Sequence, residues 1–189
     1  MTISSDSKEN SLKNIYFMTG CAMMAAMLCI ISPISIPIGD VPISLATFVV
    51  YLSVWLLGAY GSAISVIVYL LIGMAGLPVF SSGGSGLGKI AGPTGGYLIG
   101  YVFLALISGV VMKLCKHNVV ITVVGMVLAT AVLYTFGTVW FIIQLSVDLK
   151  YALSVCVWPF IPFDLVKIVI AAIIGKPSRN ALKKAGFIE

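Results

Sequence analysis

Apolar residues fill most of this chain in long runs, and polar residues gather in the gaps between them. No charged side chain occurs between Lys13 and Asp40, between Asp40 and Lys89, or between Lys89 and Lys113. A membrane-spanning helix needs roughly 20 mostly apolar residues. Each of these runs is therefore long enough for one span, and the second is long enough for two.

The pattern predicts an all-α membrane protein with six transmembrane helices and one integral-membrane domain over residues 1–189. A polar segment at 1–14 precedes the first helix, and a basic tail at 176–189 follows the last. Turn residues and polar gaps separate the helices. The predicted helices are at about 15–32, 43–60, 62–76, 95–114, 119–145 and 160–175.

Composition supports a membrane protein and leaves no room for a soluble domain. The chain is 60% hydrophobic and only 9% charged, whereas an average soluble domain is about 45–50% apolar and about 25% charged. We therefore expect a multi-pass protein whose first partner is the lipid bilayer.

The net charge of +5 reflects topology rather than binding to nucleic acid. If the amino terminus is cytoplasmic, Lys89 and Lys150 are the outer basic residues, and Lys167 lies within a span. An excess of Lys and Arg on one side orients membrane proteins with that side in the cytoplasm. We predict that both termini are cytoplasmic, together with Lys8, Lys13, Lys113, Lys116, Lys176, Arg179, Lys183 and Lys184.

The cysteines and the histidine indicate neither a metal site nor a cofactor. The four cysteines form no CxxC motif, and the chain has a single histidine, His117. Zinc sites use clustered Cys and His ligands, so we predict no metal site. The cysteines, Cys21, Cys29, Cys115 and Cys156, are expected to be ordinary buried thiols.

The glycine-rich stretch SSGGSGLGKIAGPTGG at 81–96 resembles two catalytic motifs but meets the requirements of neither. A phosphate-binding loop needs Ser or Thr after its Lys, where this chain has Ile90, and it must open a helix after a strand. In a GxSG motif, Ser85 would need a base within about 3 Å. His117 is expected on the opposite membrane face, about 30 Å away. We predict no catalytic residue and no enzyme.

Two interpretations of this stretch remain open. Glycine permits close approach of the backbone and positive φ, so Gly84, Ser85 and Gly86 can form a lid or pocket wall over a small polar ligand. A flexible outer loop explains the same glycines equally well.

An ion pair is predicted at the outer start of the last helix. Pro159 and Pro162 suit a first helical turn, which places Asp164 and Lys167 at i, i+3 on one face. A charge inside a span costs roughly 2.5–3.5 kcal/mol on insertion scales, so such residues usually face an interior or a wet cavity. Mutual neutralisation near the interface is the structural alternative, and we favour ligand binding.

Two other helix starts point to the same outer face. Ser44 and Thr47 follow Pro42 at the start of helix 2, and Thr94 and Tyr97 lie in the GPTGGY entry of helix 4. Helix amino termini offer free N–H donors. We predict that these four residues line the pocket, with Trp158 as a further apolar wall, although aromatic residues at an interface are often simple anchors.

Helix 1 contains a possible contact surface. Ala22 and Ala26 have a small-xxx-small spacing that lets helices approach closely, and methionines at 18, 23, 24 and 27 surround them. Packing inside the monomer explains this pattern as well as docking to a partner does.

Three segments, VPISLAT, GLPVFSSGGSGLGKIAGPTGGYLIG and FIPFDLVK, resemble in their order the signature segments of the BioY family. These proteins are the biotin-binding S components of energy-coupling factor (ECF) transporters. The resemblance implies a six-helix S-component-like bundle in a prokaryotic cell membrane, with the pocket near the outer surface. The chain departs from the family pattern at Ala46, Gly84 and Phe163, where the family has Gln, Arg and Gly.

The resemblance also implies a ligand and partners. We expect Asp164 to accept the ureido N–H groups of biotin, and Lys167 to bond the ureido oxygen or the carboxylate. The hydroxyls of Ser44, Thr47 and Thr94 would add hydrogen bonds, and the glycine loop would close over the ligand. A transmembrane coupling subunit would dock on Ala22 and Ala26, and two cytoplasmic ATPase subunits would drive uptake.

Two alternatives to biotin capture stay open. An S component for another vitamin, such as thiamine or riboflavin, would share the bundle. A stand-alone channel or uniporter would equilibrate its substrate without an ATPase, but the predicted spans hold no ring of like charges.

Overall fold

The computed structural model describes residues 3–36 and 41–186, with side chains from residue 14 onward. Asp40, which separates the first two apolar runs, lies outside the described residues, as do the side chains of Lys8 and Lys13. The described chain is helical apart from one short antiparallel pair of strands, β1 (Ser35–Ile36) and β2 (Ile43–Ser44).

The helices follow the apolar runs, and five of those described are long and apolar enough to cross a membrane. A 3-10 turn at Ser81–Gly83 interrupts the glycine-rich stretch. The helices are α1 (Ile3–Ile31), α2 (Ala46–Met74), α3 (Gly86–Ala91), α4 (Gly95–Leu114), α5 (Val119–Leu145), α6 (Leu149–Cys156) and α7 (Phe160–Lys184).

Helix α2 reverses direction at Gly58, where φ is 71° and ψ is −166°. The hydroxyls of Ser53 and Ser62 are hydrogen-bonded at 2.7 Å, although nine residues of straight helix would separate them by about 13 Å. The two arms of α2 therefore run antiparallel, in agreement with the prediction of two helices between 43 and 76. The described chain thus contains six long helical segments.

Small residues let these segments pack closely. A Cβ built on Gly109 of α4 would lie 2.3 Å from the Cα of Ala59 in α2, and one built on Gly175 of α7 would lie 2.5 Å from the Cβ of Trp55. In a bilayer the hydrophobic effect does not bring helices together as it does in water, so their association depends on close van der Waals packing of this kind. Trp55 is fully buried as a result.

The bundle has two different ends. The end at which α4 and α7 begin is the pocket end. There, hydrogen bonds between Ser32 and Tyr69 (2.7 Å) and between Ser35 and Ser82 (3.1 Å) join α1 and β1 to α2 and the glycine-rich segment. The pocket end also contains α3, α6 and the first turns of α7. The basic end contains the α2 reversal, the α4–α5 turn at 115–118 and the last turns of α7.

The structure differs from the prediction at two helix ends and in two additional short helices. Helix α1 begins at Ile3 rather than 15, because polar residues 3–14 contain neither Gly nor Pro and continue the helix without an apolar stripe. Helix α7 continues past Pro177 to Lys184, where the prediction ended it at 175. Arg179 donates a 3.1 Å hydrogen bond to the Trp55 carbonyl and so ties this extension to α2. The short helices α3 and α6 were not predicted.

The reversal at Gly58 generates a testable prediction. Its φ and ψ lie in a region that is essentially restricted to glycine and costs other residues about 1–3 kcal/mol. No atom lies within 4 Å of a Cβ built there, so Gly58→Ala should lower the melting temperature in detergent through backbone strain alone. The matched control is Gly88→Ala in α3, which also meets open space and has no positive φ. Equal melting temperatures for the two variants would contradict this explanation.

Candidate ligand-binding site

The first two turns of α7 place two charges side by side inside the bundle. Pro159 precedes the helix and Pro162 lies in its first turn, where the missing proline N–H costs no helical hydrogen bond. Asp164 and Lys167 are 3% and 7% exposed, and the Lys167 Nζ lies 2.9 Å from Oδ1 of Asp164. The predicted ion pair is therefore present and buried.

Neighbouring helices surround this pair with hydrogen-bonding groups. Thr47 of α2 donates to Oδ1 of Asp164 at 2.9 Å, and Tyr134 of α5 donates to Oδ2 at 2.7 Å. Lys167 donates to Thr47 Oγ1 at 3.0 Å and to the Ser44 carbonyl at 2.8 Å. The network joins α2, α5 and α7 at the pocket end.

Counting donors and acceptors shows which of the two charges is open to a ligand. An ammonium has three N–H donors, and those of Lys167 are used by Ser44, Thr47 and Asp164. An ionised carboxylate accepts about four hydrogen bonds, and the contacts described for Asp164 come from Thr47, Lys167 and Tyr134. Oδ2 of Asp164 therefore has an acceptor position left.

The hydroxyl of Ser44 is already engaged at the start of α2. It donates to the Ser32 carbonyl at 2.8 Å and accepts the Ala46 N–H at 3.1 Å. These bonds tie β2 to the residue that follows α1 and to the first residue of α2, and the Ser44 carbonyl accepts a hydrogen bond from Lys167. Ser44 thus contributes its backbone rather than its hydroxyl to the charged pair.

A polar cavity of about 40 Å³ opens above the pair. Pockets for small molecules usually measure about 300–1,000 Å³, so this cavity must widen to admit a ligand of vitamin size. The predicted residues that line it are Ser44, Thr47, Thr94, Tyr97, Asp164 and Lys167.

Four of the predicted residues lie elsewhere. Gly84, Ser85 and Gly86 do not line the cavity; Ser81, from the same segment, does. The Lys89 side chain covers Gly84, since a Cβ built there would lie 3.0 Å from Lys89 Cδ. The expectation that these three residues form the pocket wall does not fit this lining, to which the segment contributes Ser81 and Thr94 instead.

Trp158 does not form the apolar wall that we predicted. It is 69% exposed in the turn between α6 and α7, and Phe160 lines the cavity instead. The unpredicted helix α6 ends at Cys156 and so turns Trp158 outward.

Helix α5 supplies a residue of this network, Tyr134, that sequence reasoning missed. Tyr134 belongs to a polar row with Thr130 and Thr138, spaced at i, i+4 and i+8 along one face of the helix. Thr138 is hydrogen-bonded to Tyr97 at 3.0 Å and Thr130 to Tyr51 at 2.6 Å. The spacing of the three polar residues in an apolar span was the available signal.

A second, apolar cavity of about 550 Å³ lies between α5, α6 and α7. Tyr134 and Asp164 line both cavities. The hydrogen bond between these two residues therefore stands at the boundary between the small polar space and the large apolar one.

Ala22 and Ala26 lie on a face of α1 that the rest of the bundle does not cover. Ala22 and Ala26 are exposed, beside Met18 and Met23, which are 69% and 58% exposed. Met24, on the opposite face, is 4% exposed and packs inside the bundle. Packing of the two alanines within the monomer, the alternative interpretation, is not what the structure shows.

No group of three or more His, Cys, Asp or Glu among the described residues could hold a metal ion. His117 lies in the α4–α5 turn at the basic end, whereas Ser85 precedes α3 at the pocket end. A serine–histidine pair is therefore not formed.

Comparison with known proteins places the chain in one family. The sequence model of the BioY family matches residues 5–184. The biotin transporter BioY of Thermotoga maritima is 36% identical over 81% of this chain and 89% of its own length. The biotin transporter BioY2 of Lactococcus lactis subsp. cremoris is 30% identical over 89% and 92%.

A solved structure, the S-component for biotin from an ECF-type ABC transporter, has the same fold. It superposes with a TM-score of 0.81 and covers 95% of this chain and 95% of its own, at 28% identity.

The buried ion pair should control stability. Lys167→Met leaves the Asp164 charge without its cation, and removing one partner of a buried pair costs about 3–5 kcal/mol. We expect a clear fall in melting temperature in detergent, partly restored by adding Asp164→Asn. Lys89→Met, at a partly exposed lysine outside the pair, is the matched control and should have little effect. An unchanged melting temperature for Lys167→Met would refute this account of the network.

Proposed function

Since this chain belongs to the BioY family, we propose that it captures biotin for uptake as the S component of an ECF transporter. It is a multi-pass protein of the plasma membrane. The observation that supports the assignment most directly is the buried Asp164, whose Oδ2 keeps an acceptor position beside a cavity in a bundle of the biotin S-component fold. Biotin is proposed as the ligand because both relatives described above are named biotin transporters.

We propose that six segments span the membrane: α1, the two arms of α2, α4, α5 and α7. The basic end would face the cytoplasm, because Lys113, Lys116, Lys176, Lys183 and Lys184 belong to it. The pocket end would then face the outside, where biotin arrives. Both termini would be cytoplasmic, in agreement with the expectation from the sequence.

Asp164 would accept one ureido N–H of biotin through Oδ2. Lys167 would act indirectly, because its three donors already hold Ser44, Thr47 and Asp164. This role differs from the expected bond between Lys167 and the ureido oxygen, which would require the loss of one existing contact. Lys167 would fix the orientation of Asp164 through its 2.9 Å contact with Oδ1.

The polar cavity must widen before it can hold the rings and tail of biotin, so part of the protein has to move when the ligand binds. The polar cavity is about 40 Å³ and the adjoining apolar cavity about 550 Å³. We propose that displacement of the Tyr134 side chain, or of the segment 81–94, joins or widens them so that the apolar rings and tail of biotin can enter. The backbone N–H groups of that segment would then be available to the ligand carboxylate.

The departures from the family pattern lie beside this site rather than in it. Ala46 is fully buried and Phe163 is 46% exposed, and neither lines the polar cavity. Gly84 lies under Lys89. These positions do not conflict with the proposed contacts of Asp164.

Equilibrium binding of radiolabelled biotin to the purified chain tests the assignment. Asp164→Asn should weaken binding about 10- to 150-fold, since a hydrogen bond to a charged group contributes about 1.5–3 kcal/mol. Asp148→Asn makes the same chemical change at an exposed carboxylate outside the cavity and should leave affinity unchanged. If a folded Asp164→Asn protein bound biotin with unchanged affinity, the proposed contact would be wrong.

The same assay separates biotin from the alternative ligands. Thiamine and riboflavin in excess should fail to displace labelled biotin, whereas unlabelled biotin should succeed. Displacement by either of the other vitamins would favour an S component of different specificity. Equilibration of biotin across liposomes by this chain alone would favour a uniporter.

We further propose that a transmembrane coupling subunit docks on α1 and that two cytoplasmic ATPase subunits energise uptake. Ala22 and Ala26 would form the contact, because their exposed short side chains let another helix approach closely. The exposed Met18 and Met23 would supply adaptable apolar contacts around them.

This surface predicts that uptake and binding respond differently to mutation. Ala22→Leu with Ala26→Leu should abolish biotin uptake by cells that contain the complete transporter, because the added side chains keep the partner helix away. Equilibrium binding of biotin should remain intact. Ala185→Leu, at an exposed alanine beyond α7, is the matched control. Loss of binding together with uptake in the double variant would instead indicate damage to the bundle.

A further inference from the structure

Tyr101 of α4 is a residue of the polar cavity that the contacts proposed above leave unused. It lines the cavity together with Asp164 and Lys167, and it is 8% exposed. Its hydroxyl makes no hydrogen bond to another group among the described residues. A buried hydroxyl without a partner costs free energy, so a bound molecule is expected to supply the partner.

The Tyr101 hydroxyl also has surface that such a molecule can reach. In the described part of the chain, the side-chain atoms that are both fully enclosed and unpaired are Trp55 Nε1 and Ser108 Oγ. The Tyr101 hydroxyl is unpaired and is not one of these atoms, so its oxygen remains accessible. The space that this side chain lines is the polar cavity.

The position of Tyr101 along α4 places it at the floor of the cavity. Tyr101 follows Thr94 by seven residues in α4, and Lys167 follows Phe160 by seven residues in α7. All four residues line the cavity. Seven residues of α-helix span about 10.5 Å, so each helix contributes one residue at its start and one about two turns deeper. Tyr101 therefore lies as far from the start of α4 as Lys167 lies from the start of α7.

The other donors near Asp164 are already engaged. The three N–H groups of Lys167 are used within the network. The hydroxyls of Thr47 and Tyr134 donate to the Asp164 carboxylate. In this described part of the cavity, the Tyr101 hydroxyl is thus the donor that remains for a ligand.

The remaining hydroxyls that line the cavity differ from that of Tyr101 in engagement or in exposure. Those of Ser44 and Tyr97 are paired with a carbonyl and a hydroxyl of the protein. Ser81 and Thr94 are only half-buried, so water can serve them. Tyr101 alone among these described residues combines burial with an unpaired hydroxyl.

A ureido group suits this arrangement because its carbonyl acceptor lies directly between its two N–H donors. A ligand that donates one N–H to Asp164 therefore brings its carbonyl oxygen beside that carboxylate. The Tyr101 hydroxyl lies within electrostatic reach of Asp164. Donor and acceptor are thus available in the same part of the cavity.

We propose that the Tyr101 hydroxyl donates a hydrogen bond to the ureido oxygen of biotin while Asp164 accepts a ureido N–H. This inference rests on the proposed function, because the ureido group belongs to the proposed ligand. Tyr101 takes the role that the resemblance implied for Lys167. It makes the site selective for ligands that carry a strong acceptor at this place.

Equilibrium binding of biotin and of 2-thiobiotin to Tyr101→Phe tests the contact. 2-Thiobiotin has sulfur, a weaker acceptor, in place of the ureido oxygen. Tyr101→Phe should weaken biotin binding about 2- to 12-fold, the range for one neutral hydrogen bond, and the preference for biotin over 2-thiobiotin should fall accordingly. Tyr60→Phe makes the same change at a tyrosine that is 75% exposed and outside the cavity, and it should leave both affinities unchanged.

The melting temperature of the ligand-free protein in detergent separates ligand binding from packing. Tyr101→Phe retains the ring and removes an unpaired hydroxyl, so it should melt no lower than the unmodified protein. A lower melting temperature, or equal weakening of biotin and 2-thiobiotin binding, would assign Tyr101 a structural role and overturn the proposal.

The variant of Asp164 distinguishes failure of this contact from failure of the proposed function. If Asp164→Asn weakens biotin binding and Tyr101→Phe does not, the function stands and the Tyr101 contact is wrong. If the unmodified chain binds no biotin, the function and this contact are both wrong.

Discussion

The ion pair between Asp164 and Lys167 is the constraint around which the pocket end is organised. Two charges inside a membrane protein are tolerated only when their remaining hydrogen-bonding capacity is met. Thr47 of α2, Tyr134 of α5 and the Ser44 carbonyl of β2 meet this capacity here. The same contacts therefore fix the packing of α2, α5 and α7 and leave one carboxylate position towards the cavity. Stability and the proposed ligand recognition therefore depend on one network.

Sequence patterns correctly predicted the helices whose ends are set by turn residues next to them in the sequence. The bounds of α4 and α5 agree with the prediction to the residue, because GPTGG and the KHN turn interrupt long apolar runs. Proline placed the start of α7 correctly. The contribution of Tyr134 was missed because it depends on how α5 is rotated against α7, and periodicity within one helix does not specify that rotation. The prediction for Trp158 failed for a similar reason, because its orientation depends on α6, a short helix that the sequence pattern did not predict.

The two ends of the bundle divide the polar chemistry of the chain between them. At one end, a carboxylate and an ammonium satisfy each other, and little net charge remains. At the other, cations accumulate beside a buried indole donor. Helix α7 contributes to both, and its close contact with Trp55 through Gly175 connects them mechanically. A bulkier residue at Gly175 would push α7 away from α2 and so disturb the packing at both ends of the bundle.

The reversal of α2 at Gly58 also has a consequence for the surrounding bilayer. The arm that begins at Ala46 and ends at Gly58 is about 18 Å long, whereas the hydrocarbon core is about 30 Å thick. In the proposed six-span arrangement, a helix this short creates hydrophobic mismatch, which is relieved by local thinning of the membrane or by protein that fills the missing depth. Ser44 of β2 and Ser35 of β1, which bonds to Ser82 of the glycine-rich segment, lie at the start of this arm, and Arg179 of α7 bonds to the Trp55 carbonyl near its end. Lipid is thereby replaced by polar protein on both sides, and the passage from water to the bundle interior is shortened.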